Sequence, residues 1–394
     1  MDGIEGRRVA ITGIGLVGPC GIGRDAFWQG LLAPAPVGNR AITEFEPNDW
    51  FENPKEARRA DRFTQFAMAA AAMAIEQSGD PGYDPGRMGV LVATGVGGLS
   101  TIEDQVLVLN EKGPRRVSPF LVPMMMANAA SASLSMRYGW QGPCETTVTA
   151  CAASTHGLAN AARWISWGRC DAVMAGGSEA TLTPIGLQGF INMTATSSTG
   201  VSKPFDVSRD GFVPAEGAAI LVLEELSLAR KRGVPILGEI LGGASTADAH
   251  HITAPAPHGS GAVACMELAL ADSGITASDI RQINAHGTST PLNDAAEAEA
   301  IAKVFGVPGP PTVSTKGVTG HALGAGGALE AAAVLLSMQY GIIPPTGGTT
   351  ELDPEIHLDL VMGTPRAWTP GPAISNSFGF GGHNGCLVLG PPPA

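Results

Sequence analysis

No basic surplus is present in this chain of 394 residues. Its 36 acidic residues outnumber 24 basic ones and leave a formal net charge of −12. That balance argues against nucleic acid as a main partner, because a phosphate backbone is held by local positive charge. None of the six cysteines (Cys20, Cys144, Cys151, Cys170, Cys265 and Cys386) falls in a C-x-x-C pair. A zinc site or a dithiol redox motif is therefore not expected. No signal-peptide pattern and no charge-free apolar run of about 18 residues occurs, so no membrane span is expected and a reducing cytoplasm is the expected compartment. The 53 glycines and 30 prolines follow no fixed period, which excludes collagen. No long low-complexity linker divides the chain; Pro308-Gly309-Pro310-Pro311 reads as a short connection.

What remains is 44% apolar and long enough to bury a large core. Short apolar runs read as strands covered on both faces: Arg7–Gly15, Val90–Thr94, Ala172–Ala175, Ala218–Leu223, Ile236–Leu241 and Cys386–Leu389. Between them lie Ala-rich stretches with helical stop signals: Asp61–Gln77, Ala152–Trp167, Ala262–Ser273, Asp294–Val304 and Gly326–Gln339. Alternation of the two kinds predicts an α/β chain. Identity between the two halves is too faint to read as a repeat.

Four glycine-framed segments could carry chemistry. In Val148-Thr149-Ala150-Cys151-Ala152-Ala153-Ser154, the β-prone run Thr146–Thr149 meets a helix with Cys151 at the junction. Unsatisfied helix N–H groups and the positive helix end favour a thiolate there; a small buried hydrophobe is the other reading. In Asn284-Ala285-His286-Gly287-Thr288-Ser289-Thr290, His286 ends an apolar run and is placed to donate to a ligand oxygen, or is a plain loop histidine. The segment Ser314–Gly327 holds Lys316 and His321 between glycines; the G-x-x-x-x-G-K-[ST] phosphate loop is absent, and the Gly-Ala run more naturally opens a tightly packed helix through Glu330. The fourth, Asn376-Ser377-Phe378-Gly379-Phe380-Gly381-Gly382-His383-Asn384-Gly385, reads as a mobile or tightly wound loop over an apolar ligand, or as close backbone packing. A basic patch of Lys55, Arg58, Arg59 and Arg62 is either a solvated helix face or a dock for an acidic partner.

In this order, T-A-C-A-A-S, N-A-H-G-T-S-T, S-T-K-G-V-T-G-H and N-S-F-G-F-G-G-H-N resemble the beta-ketoacyl-acyl-carrier-protein synthases, synthase II in particular. Lys203-Pro204-Phe205-Asp206 and Arg209–Ala218 fit as well, and the likeness runs from Arg7 to about Leu389. The resemblance implies a thiolase-like, five-layered αβαβα fold of two similar halves. One would span 1–235, with Cys151 and the dimer and cap insertions. The other would span 236–394, with His286, His321 and the glycine-rich gate. It implies that Cys151 takes an acyl chain from an acyl carrier protein. His286 and His321 would hold malonyl-carrier protein and assist loss of CO₂, with no metal or organic cofactor. The N–H groups of Cys151 and Phe380 would form an oxyanion hole. Lys316 would support the site near His321, with Glu330 as its acid partner. Thr288 and Thr290 would line the pantetheine arm. Phe378, Val96 and Phe190 would contact substrate, and Phe380 would gate the acyl pocket. Lys55, Arg58, Arg59, Arg115 and Arg116 would dock the carrier protein. A homodimer is expected, with a heterodimer beside a chain-length partner as the alternative.

Three departures bear on pocket shape: His383 stands where many members carry Thr, His250 replaces a frequent Tyr, and Met193–Lys203 is shortened. A type II polyketide or polyene ketosynthase shares the chemistry, but aromatic members often carry T-G-C-T-S-G. A non-catalytic chain-length subunit would not be expected to keep Cys151, His286 and His321. A degradative thiolase would place a second Cys in the C-terminal loop, whereas Cys386 falls in the last apolar run.

Overall fold

The computed structural model describes residues 7–393. Its apolar runs form strands that continue past the lengths read from the sequence. The first half contributes β1 (Val9–Gly18), β2 (Met88–Ala93), β3 (Cys144–Glu145), β4 (Ala172–Glu179) and β5 (Gly217–Glu225). The second contributes β6 (Gly238–Ala247), β7 (Gln282–Asn284), β8 (Thr312–Val313), β9 (Ala373–Gly379) and β10 (His383–Gly390). Every residue of β1, β2, β4 and β5 is buried, as strands covered on both faces require.

The strand order is β3-β2-β4-β5-β1-β6-β10-β9-β7-β8. In each half the third strand lies at the far edge, followed by the second, fourth, fifth and first. The fifth strand is antiparallel to both neighbours in both halves, while the second is parallel to the third and fourth. The halves therefore share one topology, although their sequences do not show it. They join edge to edge where Val9, Ala10 and Ile11 of β1 pair with Ile240, Glu239 and Gly238 of β6.

Helices complete the layers. They are α1 (Arg62–Ser78), α2 (Leu99–Lys112), α3 (Ala129–Tyr138), α4 (Ala153–Ser166), α5 (Pro184–Asn192), α6 (Ser260–Ser273), α7 (Pro291–Phe305) and α8 (Gly326–Tyr340). Helix α1 covers the outside of the first sheet against β1, β5 and β4, and α3 packs beside it on β2. Helix α6 covers the outside of the second sheet against β6 and β10, with α7 beside it. Between the sheets α4 and α8 pack on each other, α4 reaching β2 and β4 on one side and β6 and β10 on the other. This is the five-layered arrangement the resemblance implied. The Ala-rich composition of α4 and α8 follows from their place, since a helix buried on all sides between two sheets has room for small side chains.

Asp61, read as the first residue of a helix, instead caps α1 by accepting from Phe63 N–H at 3.2 Å. Its other oxygen accepts from Ser100 Oγ at 2.8 Å and Thr101 N–H at 2.9 Å, which ties α1 to α2.

Candidate active site

The inner ends of the two halves meet at Cys151. Strand β3 stops at Glu145, so the expected β-run over Thr146–Thr149 is not a strand. It is irregular chain, with Thr147 C=O accepting from Thr94 N–H at 3.2 Å. Ala150 then takes φ 51° and turns the chain sharply. Such a φ costs an L-residue about 1–2 kcal/mol, which contacts elsewhere must offset. Ala150–Ala152 makes one 3₁₀ turn, and α4 starts at Ala153. Cys151 thus sits buried at the head of the central helix.

The expected lowering of its pKa does not win. Burial pushes the Cys151 thiol up to about 11, against the backbone N–H of Phe380 and the Lys316 charge, which favour the thiolate. In the free protein Cys151 is a neutral thiol held beside two N–H donors.

His286 follows β7 after one residue, Ala285. Its N–H and that of Gly287 donate to the two oxygens of Glu297 on α7, each at 2.7 Å. Burial raises Glu297 to about 7. Lys316 Nζ lies 3.2 Å from His286 Nδ1 and is in direct contact with Glu330 on α8. Lys316, expected to support the site near His321, contacts His286, and its charge reaches His321 as well. An ammonium can only donate, so His286 Nδ1 accepts and its ring proton sits on Nε2. Burial raises Glu330 to about 7, with Lys316 pulling the other way.

His321 is held by its backbone, donating to Val213 C=O at 2.8 Å and accepting from Ala215 N–H at 3.1 Å. Its ring stands perpendicular to that of His286, 5.3 Å between centroids. Its Nδ1 is buried without a hydrogen-bond partner among the described residues. Burial, then the Lys316 charge, holds both imidazoles well below the usual histidine range. Both are neutral at pH 7, each with one N–H to offer.

Cys151, His286 and His321 line one cavity of about 390 Å³, together with Thr288, Thr290, Phe378 and Phe380. Thr288 and Thr290 bond each other through their hydroxyls at 2.9 Å. The Phe378 ring lies 6.0 Å from that of His286. The glycine-rich segment read as a loop is a hairpin: β9 runs to Gly379, Phe380–Gly382 makes the turn, and β10 starts at His383. Gly381 and Gly382, at φ 82° and 72°, permit the turn.

Two expected contacts are not brought to the cavity. Val96 is 44% exposed and outside the lining. Phe190 reaches the site through Phe212: the Phe190 and Phe212 rings are 5.3 Å apart, and Phe212 lies 5.4 Å from His321. Lys55, Arg58, Arg59, Arg115 and Arg116 are all exposed. Arg59 lies over the Phe120 ring at 4.3 Å, which links the Lys55–Arg59 cluster to the segment after Arg116. Arg62 does not belong to that patch. It turns inward to Glu216 at 2.7 Å and to Ile42 C=O at 2.7 Å.

Sequence reasoning missed Glu179 and Glu297. Glu179, at the end of β4, accepts from Thr94 Oγ1 at 3.0 Å, Gly95 N–H at 2.6 Å and Gly324 N–H at 3.0 Å. It thereby fastens the first half to the start of α8. The available signal was an acid with no cation near it in sequence, inside a segment otherwise buried. Among the described residues, no helix is long and apolar enough to cross a membrane.

Family descriptions "Beta-ketoacyl synthase, N-terminal domain" and "Beta-ketoacyl synthase, C-terminal domain" match residues 35–229 and 237–350. The chain is 42% identical to the 3-oxoacyl-[acyl-carrier-protein] synthase 2 of Synechocystis sp., with 99% of both chains covered. It is 41% identical to the protein of the same name from Rhizobium meliloti, over 97% of this chain and 98% of that one. Among solved structures, the ishigamide ketosynthase/chain length factor superposes with a TM-score of 0.92 at 32% identity, over 98% of this chain and all of the other. A ketosynthase bound to the hexaketide and in complex with its type II polyketide-synthase acyl-carrier protein gives 0.90 at 31%, with the same coverage.

Proposed function

The chain belongs to the beta-ketoacyl synthase family, and from that premise we propose that it lengthens acyl chains on a carrier protein by decarboxylative Claisen condensation. The observation that carries this reading is one cavity holding a thiol beside two N–H donors and two neutral imidazoles.

Cys151 Sγ attacks the thioester carbonyl of an acyl-carrier protein. A new C–S bond forms, the bond to the pantetheine sulfur breaks, and the Cys151 proton leaves with that sulfur. The N–H groups of Cys151 and Phe380 receive the transient oxyanion, where preorganised donors lower the barrier most. Malonyl-carrier protein then enters along Thr288 and Thr290. Its thioester oxygen accepts from His286 and His321. The bond to the malonyl carboxylate breaks, CO₂ leaves, and the electron pair remains as an enolate. Neutral imidazoles suit that task, because a donor that keeps its proton stabilises the enolate oxygen without quenching the carbon. The enolate carbon bonds to the acyl carbonyl on Cys151. Collapse releases 3-oxoacyl-carrier protein and returns the thiolate, which takes up a proton. Lys316 and Glu330 hold His286 in its Nε2–H form.

The relatives named 3-oxoacyl-[acyl-carrier-protein] synthase 2 favour fatty-acid chain elongation over polyketide assembly. The exposed Lys55, Arg58, Arg59, Arg115 and Arg116 would receive the acidic carrier protein. Division of the chain near residue 235 is supported by the strand order that restarts at β6. A homodimer in the cytoplasm completes the proposal. The test is incubation of the purified protein with acyl- and malonyl-carrier protein, followed by mass spectrometry of the carrier. Formation of a 3-oxoacyl chain two carbons longer, abolished in Cys151→Ala, is the expected result. Equal product from Cys151→Ala would refute the reading.

A further inference from the structure

Cys151 and Phe380 lie on separate pieces of chain. One is the sharp turn Thr149–Ala152 at the head of α4; the other is the hairpin of β9 and β10. Whatever fixes the distance between these pieces fixes the distance between the two N–H donors. One side chain hydrogen-bonds to both. His156, buried on the first turns of α4, has Nδ1 2.8 Å from Thr149 Oγ1 and Nε2 2.9 Å from Asn384 C=O. A carbonyl oxygen can only accept, so the His156 proton is on Nε2. Nδ1 therefore accepts from the Thr149 hydroxyl. Burial holds the ring below the usual histidine range, with the Asn384 carbonyl pulling the other way.

The hairpin has no slack on either side of this contact. A Cβ at Gly379 would stand 3.0 Å from Cys151 N, and one at Gly385 would stand 2.9 Å from His156 Cδ2. Next to His156, Thr155 Oγ1 bonds Ser377 Oγ of β9 at 2.7 Å. On the far side the Asn384 amide donates to Asp248 Oδ1 at 2.7 Å. The His156 bridge is the part of this network that reaches back to the residue two before the thiol.

We infer that His156 is a positioning residue: it ties the turn carrying Cys151 to the hairpin carrying Phe380, and so sets the separation of the two oxyanion donors. The inference rests on the condensation reading above. It separates the two half-reactions. Acyl transfer to and from Cys151 uses those donors, whereas loss of CO₂ from malonyl-carrier protein is served by His286 and His321, which His156 does not touch.

The experiment compares Thr149→Val, His156→Asn and His156→Gln with the unaltered protein. Thr149→Val removes one hydroxyl at constant shape. His156→Asn keeps an acceptor for Thr149, and His156→Gln keeps a donor for Asn384. Acylation of Cys151 is followed in a single turnover by intact-protein mass spectrometry, and CO₂ release from malonyl-carrier protein is measured separately. All three variants should acylate about tenfold to a hundredfold more slowly at saturating carrier, as a small misplacement of reacting groups does. Their KM should be little changed and their CO₂ release within about twofold of the unaltered protein. A parallel fall in both half-reactions would mean a merely structural residue and overturn the proposal, as would unchanged acylation in Thr149→Val. Failure of the unaltered protein in both half-reactions would instead overturn the condensation reading, and this proposal with it.

Discussion

Replacing Lys316 by alanine removes one donor from two buried acceptors, His286 Nδ1 and Glu330. Removing one partner of a buried pair typically costs roughly 3–5 kcal/mol, and Glu330 sets how that cost varies with pH. Burial already raises Glu330 from an ordinary 4.5 to about 7, and without the Lys316 charge it rises further. At pH 7 the folded variant then holds Glu330 protonated, while the unfolded chain ionises it. The unaltered protein already carries the rise from 4.5 to about 7, so the part of the deficit that titrates comes from the further rise above 7. The sign follows from the raised folded pKa. Above pH 4.5 the unfolded state sheds its proton first, so the penalty grows with pH. The deficit of Lys316→Ala should therefore grow as pH rises through about 7 and lose this component as pH falls toward 5. Lys316→Ala combined with Glu330→Gln should lose this dependence. Chemical denaturation at several pH values reads both. Function should fail on one side of the reaction: the His286 proton is free to move to Nδ1, and CO₂ release from malonyl-carrier protein should fall about 10²–10³-fold, with acylation less affected. A deficit that grows as pH falls, or CO₂ release at the unaltered rate, would refute the reasoning.

Three further outcomes follow from the same geometry. With the Cys151 thiol at about 11, its alkylation by iodoacetamide should climb steadily from pH 7 to 9; a plateau below pH 8 would mean that the helix end outweighs burial. A Cβ at Gly327 would meet Thr155 Oγ1 at 2.0 Å, where α8 crosses α4. Gly327→Ala should cost about 1–3 kcal/mol in denaturant unfolding, as overpacking of a filled core does. Charge reversal at Arg58 and Arg115 should raise KM for carrier-bound substrate in a salt-dependent way. It should leave turnover of a free pantetheine thioester unchanged.

The sequence shows the elements whose burial is uniform. Strands β1, β2, β4 and β5 are buried along their whole length and mostly apolar, and α4 and α8 are Ala-rich because both faces are covered. It conceals the short outer strands of the second half. Strands β7 and β8 are only three and two residues long. Strand β9 contains Ser375, Asn376 and Ser377, buried polar groups whose partners come from distant segments: Asn284 for Ser375, Glu297 for Asn376 and Thr155 for Ser377. No hydrophobic period survives such a run. Helices α2, α3 and α5 were not read either. Helix α2 leaves Val106, Leu107 and Leu109 exposed, so no clean polar face marks it. Cys151, His286 and His321 were legible because each sits in a long, ordered motif. Their supports were not. Glu179, Glu297 and His156 act on backbone groups far away in sequence, and the contact of Lys316 with His286 rather than His321 depends on how two loops fold together.

The division of labour between the thiol and the imidazoles is the centre of the account. Its most direct test is intact-protein mass spectrometry of His286→Ala and His321→Ala after incubation with acyl-carrier protein and then malonyl-carrier protein. Both variants should show the acyl adduct on Cys151, and that adduct should persist after malonyl-carrier protein is added, with no 3-oxoacyl product. Disappearance of the adduct with product formed at the unaltered rate would contradict it.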